Sequence, residues 1–247
     1  METIFGEKRI LATTSFEMRM ALDRADLLQR EILTSGSYEP ELTEFLLVNL
    51  QKGDIFYDVG ANVGYHSLIA LSRGARVFAF EPDPISCGIL CHNLEINAGA
   101  QETWTAVQSG VGRVEGTEWF TRTHVANSGI SGIGAQGRPT AVFRIDMISL
   151  DAFVQLGMLP PDVMKVDVEG WESGVFMGAG NLLSQSPPRL IVFEGRCDQH
   201  GGLLEPEIES ILGSNGYRIQ HLPRTHGWIE SRENYLAFRS AAQPVMP

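Results

Sequence analysis

The stretch from Asp54 to Pro84, DIFYDVGANVGYHSLIALSRGARVFAFEPDP, constrains the fold more than any other part of the chain. An apolar run breaks at Asp58 into Gly60 and Gly64, and a helical pattern follows. A second apolar run, RVFAF, then ends on Glu81. Strand, glycine turn, helix and strand make a βαβ unit, whose near-continuous apolar strands belong to a parallel sheet covered on both faces. The alternation continues with strand-like TWTAVQS, DVMKVDV, RLIVFE, YRIQHL and NYLAFR, and with helix starts near Gly64, Pro84, Leu150, Trp171 and Pro206. Only PRTHGWIESRE separates the last two strands, so they are expected to pair as a hairpin. The fold class is α/β, a mostly parallel sheet with a C-terminal antiparallel strand.

Two regions stand outside this alternation. Apolar residues at Met18, Leu22, Ala25 and Leu28 predict a helix from about Phe16 to Thr34. Pro40 opens a second helix that stops at Gly53. Residues 1–52 are therefore expected as a helical segment packed on a core domain of residues 53–247, covering the active site or forming a homodimer contact. Residues 116–149 carry two short strand-like pieces around a Gly/Ser-rich loop, and an insertion this long reads as a lid.

With 247 residues the chain can bury a sizeable core as one domain. Its formal net charge of −11, without a long basic run, argues against a nucleic-acid substrate, because phosphate neutralisation dominates that affinity. No apolar run reaches membrane-spanning length. METIFGEKRI has no signal-like apolar stretch, so the expected location is cytoplasmic. The three cysteines have neither zinc spacing nor an even disulfide count; Cys87 and Cys91 share a helix face as small hydrophobes.

Ligands of open α/β sheets bind beyond the carboxyl ends of the strands, which singles out Asp58, Glu81, Ser109, Asp167 and Glu194. Asp58, Gly60, Ala61, Asn62 and Gly64 form a D-x-G-x-x-x-G turn in which the backbone can approach a ligand closely. The dinucleotide fingerprint G-x-G-x-x-G, which seats a pyrophosphate on a helix N-terminus, is absent. An anion at Asp58 suits a ligand with positive charge instead. Glu81 falls 23 residues beyond Asp58, near the offset at which an acid takes ribose hydroxyls. Asp83-Pro84 reads as a helix N-cap with proline at the first position. In DVMKVDVEGWE, period two puts Val163, Lys165 and Asp167 on one strand face. A buried lysine there needs a partner, and Asp167 or Glu169 can supply one.

The motifs FYDVGANVGYHSL, FAFEPDP, SLDAF, MKVDVEGWE and LIVFEG, in this order, resemble the FkbM family of S-adenosylmethionine-dependent methyltransferases. They cover roughly residues 38–195. The resemblance implies a Rossmann-like class I methyltransferase fold with a seven-stranded sheet. It also implies methyl transfer, most often to a hydroxyl of a small molecule, sugar or natural-product intermediate. By that resemblance Asp58, Gly60, Asn62 and Gly64 surround the methionine part of the cofactor, with Ala61 in the same turn. Glu81 takes the ribose, with Pro82 next to it among the cofactor-binding residues, and Ser109-Gly110-Val111 lies by the adenine. Asp167 occupies the acidic position after the fourth strand. The residue chemistry agrees, since S-adenosylmethionine carries a sulfonium, an ammonium and two ribose hydroxyls.

A hydroxyl nucleophile loses its proton during methyl transfer, so a base within reach assists. His66 is the first candidate because its ordinary pKa lies near working pH. Asp167, Glu169 and Glu194 are the others, and Lys165 orients a carboxylate. Strand-end carboxylates are also the donor set that Mg²⁺ takes, though nothing in the sequence demands a metal and no metal ligand is assigned. His124, Asn127, Ser128 and Ser131 sit in the lid within reach of acceptor or cofactor, and Trp228, between His226 and the end of the last hairpin loop, is a further pocket candidate. Three readings compete: an N-methyltransferase, a NAD(P)-dependent oxidoreductase, which lacks its glycine fingerprint here, and a non-catalytic cofactor-binding regulator.

Overall fold

The computed structural model describes residues 2–4, 7–97, 103–123, 131–133, 139–224, 230–239 and 243–246, with side chains from Arg9 onward. The core is the seven-stranded sheet that the alternation predicts. Its strands are β4 (Ile55–Val59), β5 (Arg76–Phe80), β6 (Trp104–Val107), β11 (Val163–Val166), β12 (Leu190–Arg196), β13 (Tyr217–His221) and β14 (Arg232–Arg239). They run in the order β13-β14-β12-β11-β4-β5-β6. All are parallel except β14, which is antiparallel to both neighbours. The C-terminal hairpin is present, but its antiparallel strand lies one place inside the sheet and β13 takes the edge.

Period-two alternation along these strands feeds two cores. Phe56, Val77, Ala79, Val163 and Val192 pack on one face, with α1 (Leu27–Ser35), α2 (Pro40–Asn49), α3 (Tyr65–Ser72) and α4 (Pro84–Glu95). Tyr57, Val59, Phe78, Phe80, Met164, Val166 and Phe193 pack on the other, with α5 (Leu150–Gln155), α6 (Glu172–Met177), α7 (Gly180–Gln185) and α8 (Pro206–Ser214). Both faces are thereby covered, which is why the strands read as apolar runs. Among the described residues, no helix is long and apolar enough to cross a membrane.

The expected helix from Phe16 is not formed in its first half. Residues before α1 make an antiparallel meander, β1 (Glu2–Ile4), β2 (Glu7–Thr13) and β3 (Arg19–Leu22). Met18 and Leu22 share a helical period, but Met20 joins them only at a period of two, and Met20 and Leu22 are fully buried. The helix starts only at Leu27, where Asp26 caps it by accepting from the Gln29 amide at 2.9 Å. Residues 1–52 are therefore a small sheet followed by two helices.

The insertion expected as a lid builds a second sheet. β7 (Gly110–Val111), β8 (Gly116–Thr123), β9 (Gly132–Ile133) and β10 (Pro139–Ile148) run in the order β7-β10-β8-β9. Phe120, Ile145 and Met147 form its own buried cluster. His124, Asn127 and Ser128 lie outside the described residues, as do His226 and Trp228.

Candidate active site

The glycine turn leaves β4 and enters α3 through three left-handed residues, Gly60 (φ +81°), Asn62 (φ +49°) and Gly64 (φ +92°). A Cβ at Gly60 would lie 1.8 Å from the Asp167 carbonyl oxygen, and one at Gly64 2.7 Å from Leu90 Cδ1. The glycines are thus required by the end of β11 and by α4 as well as by backbone conformation. Gly60, Ala61 and Asn62 line a cavity at the carboxyl ends of the strands; Gly64 does not.

Asp58 also stands behind the cavity wall. It is fully buried, accepts from Ser67 Oγ at 2.7 Å, and lies 3.6 Å from Lys165 Nζ. Register explains the pairing, since Lys165 on β11 sits directly opposite Asp58 on β4. Lys165 Nζ reaches Asp167 Oδ2 at 3.1 Å and the Gly60 carbonyl at 3.4 Å. The predicted partner of the buried lysine is therefore Asp167, with Asp58 beside it, and Glu169 is not engaged. Burial alone would lower the Lys165 pKa, but Asp167, Asp58 and Glu39 outweigh it and keep the ammonium charged.

Glu81, just past β5, faces the cavity with both oxygens fixed. The Asn62 amide donates to Oε2 and the Asp83 amide to Oε1, each at 2.9 Å. Burial raises its pKa to about 7. Asp83 caps α4 as expected, accepting from the Ile85 amide at 2.8 Å. Pro82, Ser109, Gly110 and Val111 line the same cavity.

The opposite wall gathers Asp167, Glu169 and Glu194. Glu169 takes the left-handed conformation (φ +53°), an uncommon one for a residue with a side chain. Burial, then Asp167 and Glu194, raise its pKa to about 9; burial and Asp167 raise Glu194 to about 8. Asp167, Glu172 and Glu194 approach one another closely enough to hold a cation. That positive charge is already supplied by Arg232, which bonds both Glu172 and Glu194.

His66 lines the cavity from the first turn of α3, and sequence reading missed what it faces. Glu39, at the start of α2, places Oε2 3.5 Å from His66 Nε2 while Oε1 accepts from Asn234 Nδ2 at 2.9 Å. Its backbone is left-handed (φ +44°), the only such N-cap without glycine in the fold's described helices. Burial, then Asp167, raise Glu39 to about 7. Burial, then Lys165, hold His66 well below its usual value, so the ring is neutral. Tyr38, Phe120 and Ile133 are further lining residues that no local motif announced; Trp171, from the MKVDVEGWE motif, and Ser131, from the insertion, join them.

Among the described residues, six carboxylates line this cavity (Glu39, Glu81, Asp83, Asp167, Glu169 and Glu194) against one lysine, Lys165. Such an enclosure favours a ligand with positive charge. A diol can be received at Glu81, because each carboxylate oxygen keeps a lone pair beyond its amide contact.

This sheet order and this strand-end cavity go with methyl transfer: over residues 58–219 the chain matches the Methyltransferase FkbM domain, and it belongs to that family. It is 33% identical over 175 residues to the hexuronic acid methyltransferase AglP of Haloferax volcanii, covering 70% of this chain and 67% of the relative. A solved FkbM methyltransferase from Methylobacillus flagellatus superposes with a TM-score of 0.53 at 20% identity. The match covers 75% of this chain but only 43% of that one. M. jannaschii TYW2, solved in complex with AdoMet, shares the fold with a TM-score of 0.51 at 9% identity, over 94% of this chain and 84% of that one.

Proposed function

We propose that this chain uses S-adenosylmethionine to methylate a hydroxyl group of a small molecule or sugar. The observation that carries the cofactor is Glu81, a carboxylate fixed by two backbone amides at the rim of an acidic cavity. It is suited to the ribose diol, and the acidic walls suit the sulfonium and ammonium charges. Gly60, Ala61 and Asn62 would hold the methionine part, with Asp167 near the ammonium. Asp58 acts through Lys165, fixing the strand ends from behind. Ser109, Gly110 and Val111 would border the adenine. The relative that methylates a hexuronic acid supports a sugar-like acceptor.

Bound S-adenosylmethionine supplies an electrophilic methyl group. What falls to the chain is to hold an acceptor hydroxyl, exclude water and take its proton, and positioning alone accounts for much of the rate of such reactions. His66 is neutral and lines the cavity, so it is able to accept that proton. Glu39, 3.5 Å away, stabilises the imidazolium that results. Glu169 and Glu194, with raised pKa values, serve as hydrogen-bonding walls for acceptor hydroxyls.

The test is calorimetric titration of the purified chain with S-adenosylmethionine, S-adenosylhomocysteine and NAD(H). Binding of the first two alone is expected, and Glu81→Ala should weaken it tenfold or more, about 1.5–3 kcal/mol for a hydrogen bond to a charged group. Binding of NAD(H) alone would overturn the assignment. Single-turnover methylation of hydroxylated sugars then tests His66→Ala, whose rate should fall with cofactor affinity unchanged.

A further inference from the structure

The inserted sheet lines the cavity through β7, β8 and β9, and the contact made by β8 is specific. Phe120 and Arg122 lie two residues apart on β8 and so project from the same face of the strand. Arg122 grips the Asp83 carboxylate through both Nε and Nη2. Asp83 is buried, caps α4, and donates its amide to Glu81. The strand is thus tied to the turn that presents Glu81. Phe120, 5% exposed, lines the cavity beside Val111 and pairs across the strands with Ile133, which lines it too. The Arg122 guanidinium also sits 5.1 Å over the ring of Phe143, which is tilted against Phe120 at 5.5 Å.

We propose that the insertion is a latched wall of the nucleoside subsite: Phe120 and Ile133 cover the adenine, and the Arg122–Asp83 pair holds them there. The inference rests on the cofactor reading above and assigns the adenine a face that the methyltransferase core does not supply. A bidentate arginine–carboxylate pair on a buried carboxylate fixes orientation as well as distance, so the aromatic face is set before the ligand arrives. Base–aromatic contact is worth most when the ring is already in place.

Two nucleoside probes separate the parts of the ligand: S-adenosylhomocysteine, and 5′-methylthioadenosine, which lacks the amino-acid portion. Phe120→Leu and Arg122→Gln should each weaken both probes by a similar factor, about tenfold. Trp119→Ala is the control, because Trp119 is 61% exposed and points away on the same strand; it should leave both affinities unchanged. Circular dichroism and melting temperature establish that each variant is folded. Wild-type affinity in folded Phe120→Leu, or an Arg122→Gln affinity no lower than that of Trp119→Ala, overturns the wall. Failure of the wild type to bind either probe brings down the cofactor reading and the wall together, and is distinguishable from the wall failing alone, where wild type and variants bind alike.

Discussion

Gly60 shows how one residue can be read correctly as special and for an incomplete reason. Its φ of +81° excludes most side chains, and the Asp167 carbonyl occupies the place of a Cβ. Gly60→Ala should therefore cost on the order of 2–4 kcal/mol, backbone strain plus overpacking. Urea denaturation measures this directly, and a loss below about 1 kcal/mol would show that the strand ends yield. Asp58 was likewise legible as an acid at a strand end. That its carboxylate turns inward to Lys165 and Ser67 was not, because the sequence does not say which strand lies beside β4. Glu81 is the opposite case, since both its position and its exposure to the cavity follow from the βαβ spacing.

At the scale of elements, the strands and helices of the core were legible because each is a long, single-period pattern with a cap or turn at its end. The N-terminal segment departs from the expected helix because Met18 and Leu22 satisfy two periods at once, while Met20 fits only the period of a strand. Tertiary packing chose the strand, as three backbone segments could then share hydrogen bonds. Asp26 marks the true start of α1. This helix matters to the site, because Leu28 lines the cavity while Gln29 Oε1 accepts from Arg9 Nη1 at 3.1 Å and from the Asp23 amide at 2.9 Å. Asp26→Ala should destabilise the protein by about 1 kcal/mol, lowering Tm by about 2–4 °C. Differential scanning calorimetry checks it; an unchanged Tm would mean that Asp26 is not the cap that sets the helix.

For the whole molecule, the acid-lined cavity has a consequence for stability. Glu39 and Glu81 are raised to about 7, Glu194 to about 8 and Glu169 to about 9, with burial the largest cause in each. The folded state therefore binds these protons more tightly than the unfolded chain does. The resulting stability is fully present below the unfolded carboxyl value, about 4.3, and is lost as pH rises through the folded values. Tm should fall from about pH 5 to about pH 9, and Glu169→Gln should flatten the upper part of that fall. A Tm that rises across the window would show that these carboxyls are ionised and stabilised by partners. Ligand with positive charge should raise Tm most at the alkaline end, where the walls carry their full charge.

The sequence by itself determined the α/β class, the strand-end acids, the glycine turn and the family resemblance, because these depend on residue type and short-range periodicity. Tertiary structure alone decided three things: that β11 lies beside β4, so that Lys165 meets Asp58; that the N-terminal segment brings Glu39 to His66; and that the insertion brings Phe120 to the cavity and Arg122 to Asp83. Each joins residues distant in the chain. Their contacts are fixed by which strands exchange backbone hydrogen bonds and which apolar faces must be covered, and neither is written in any local pattern.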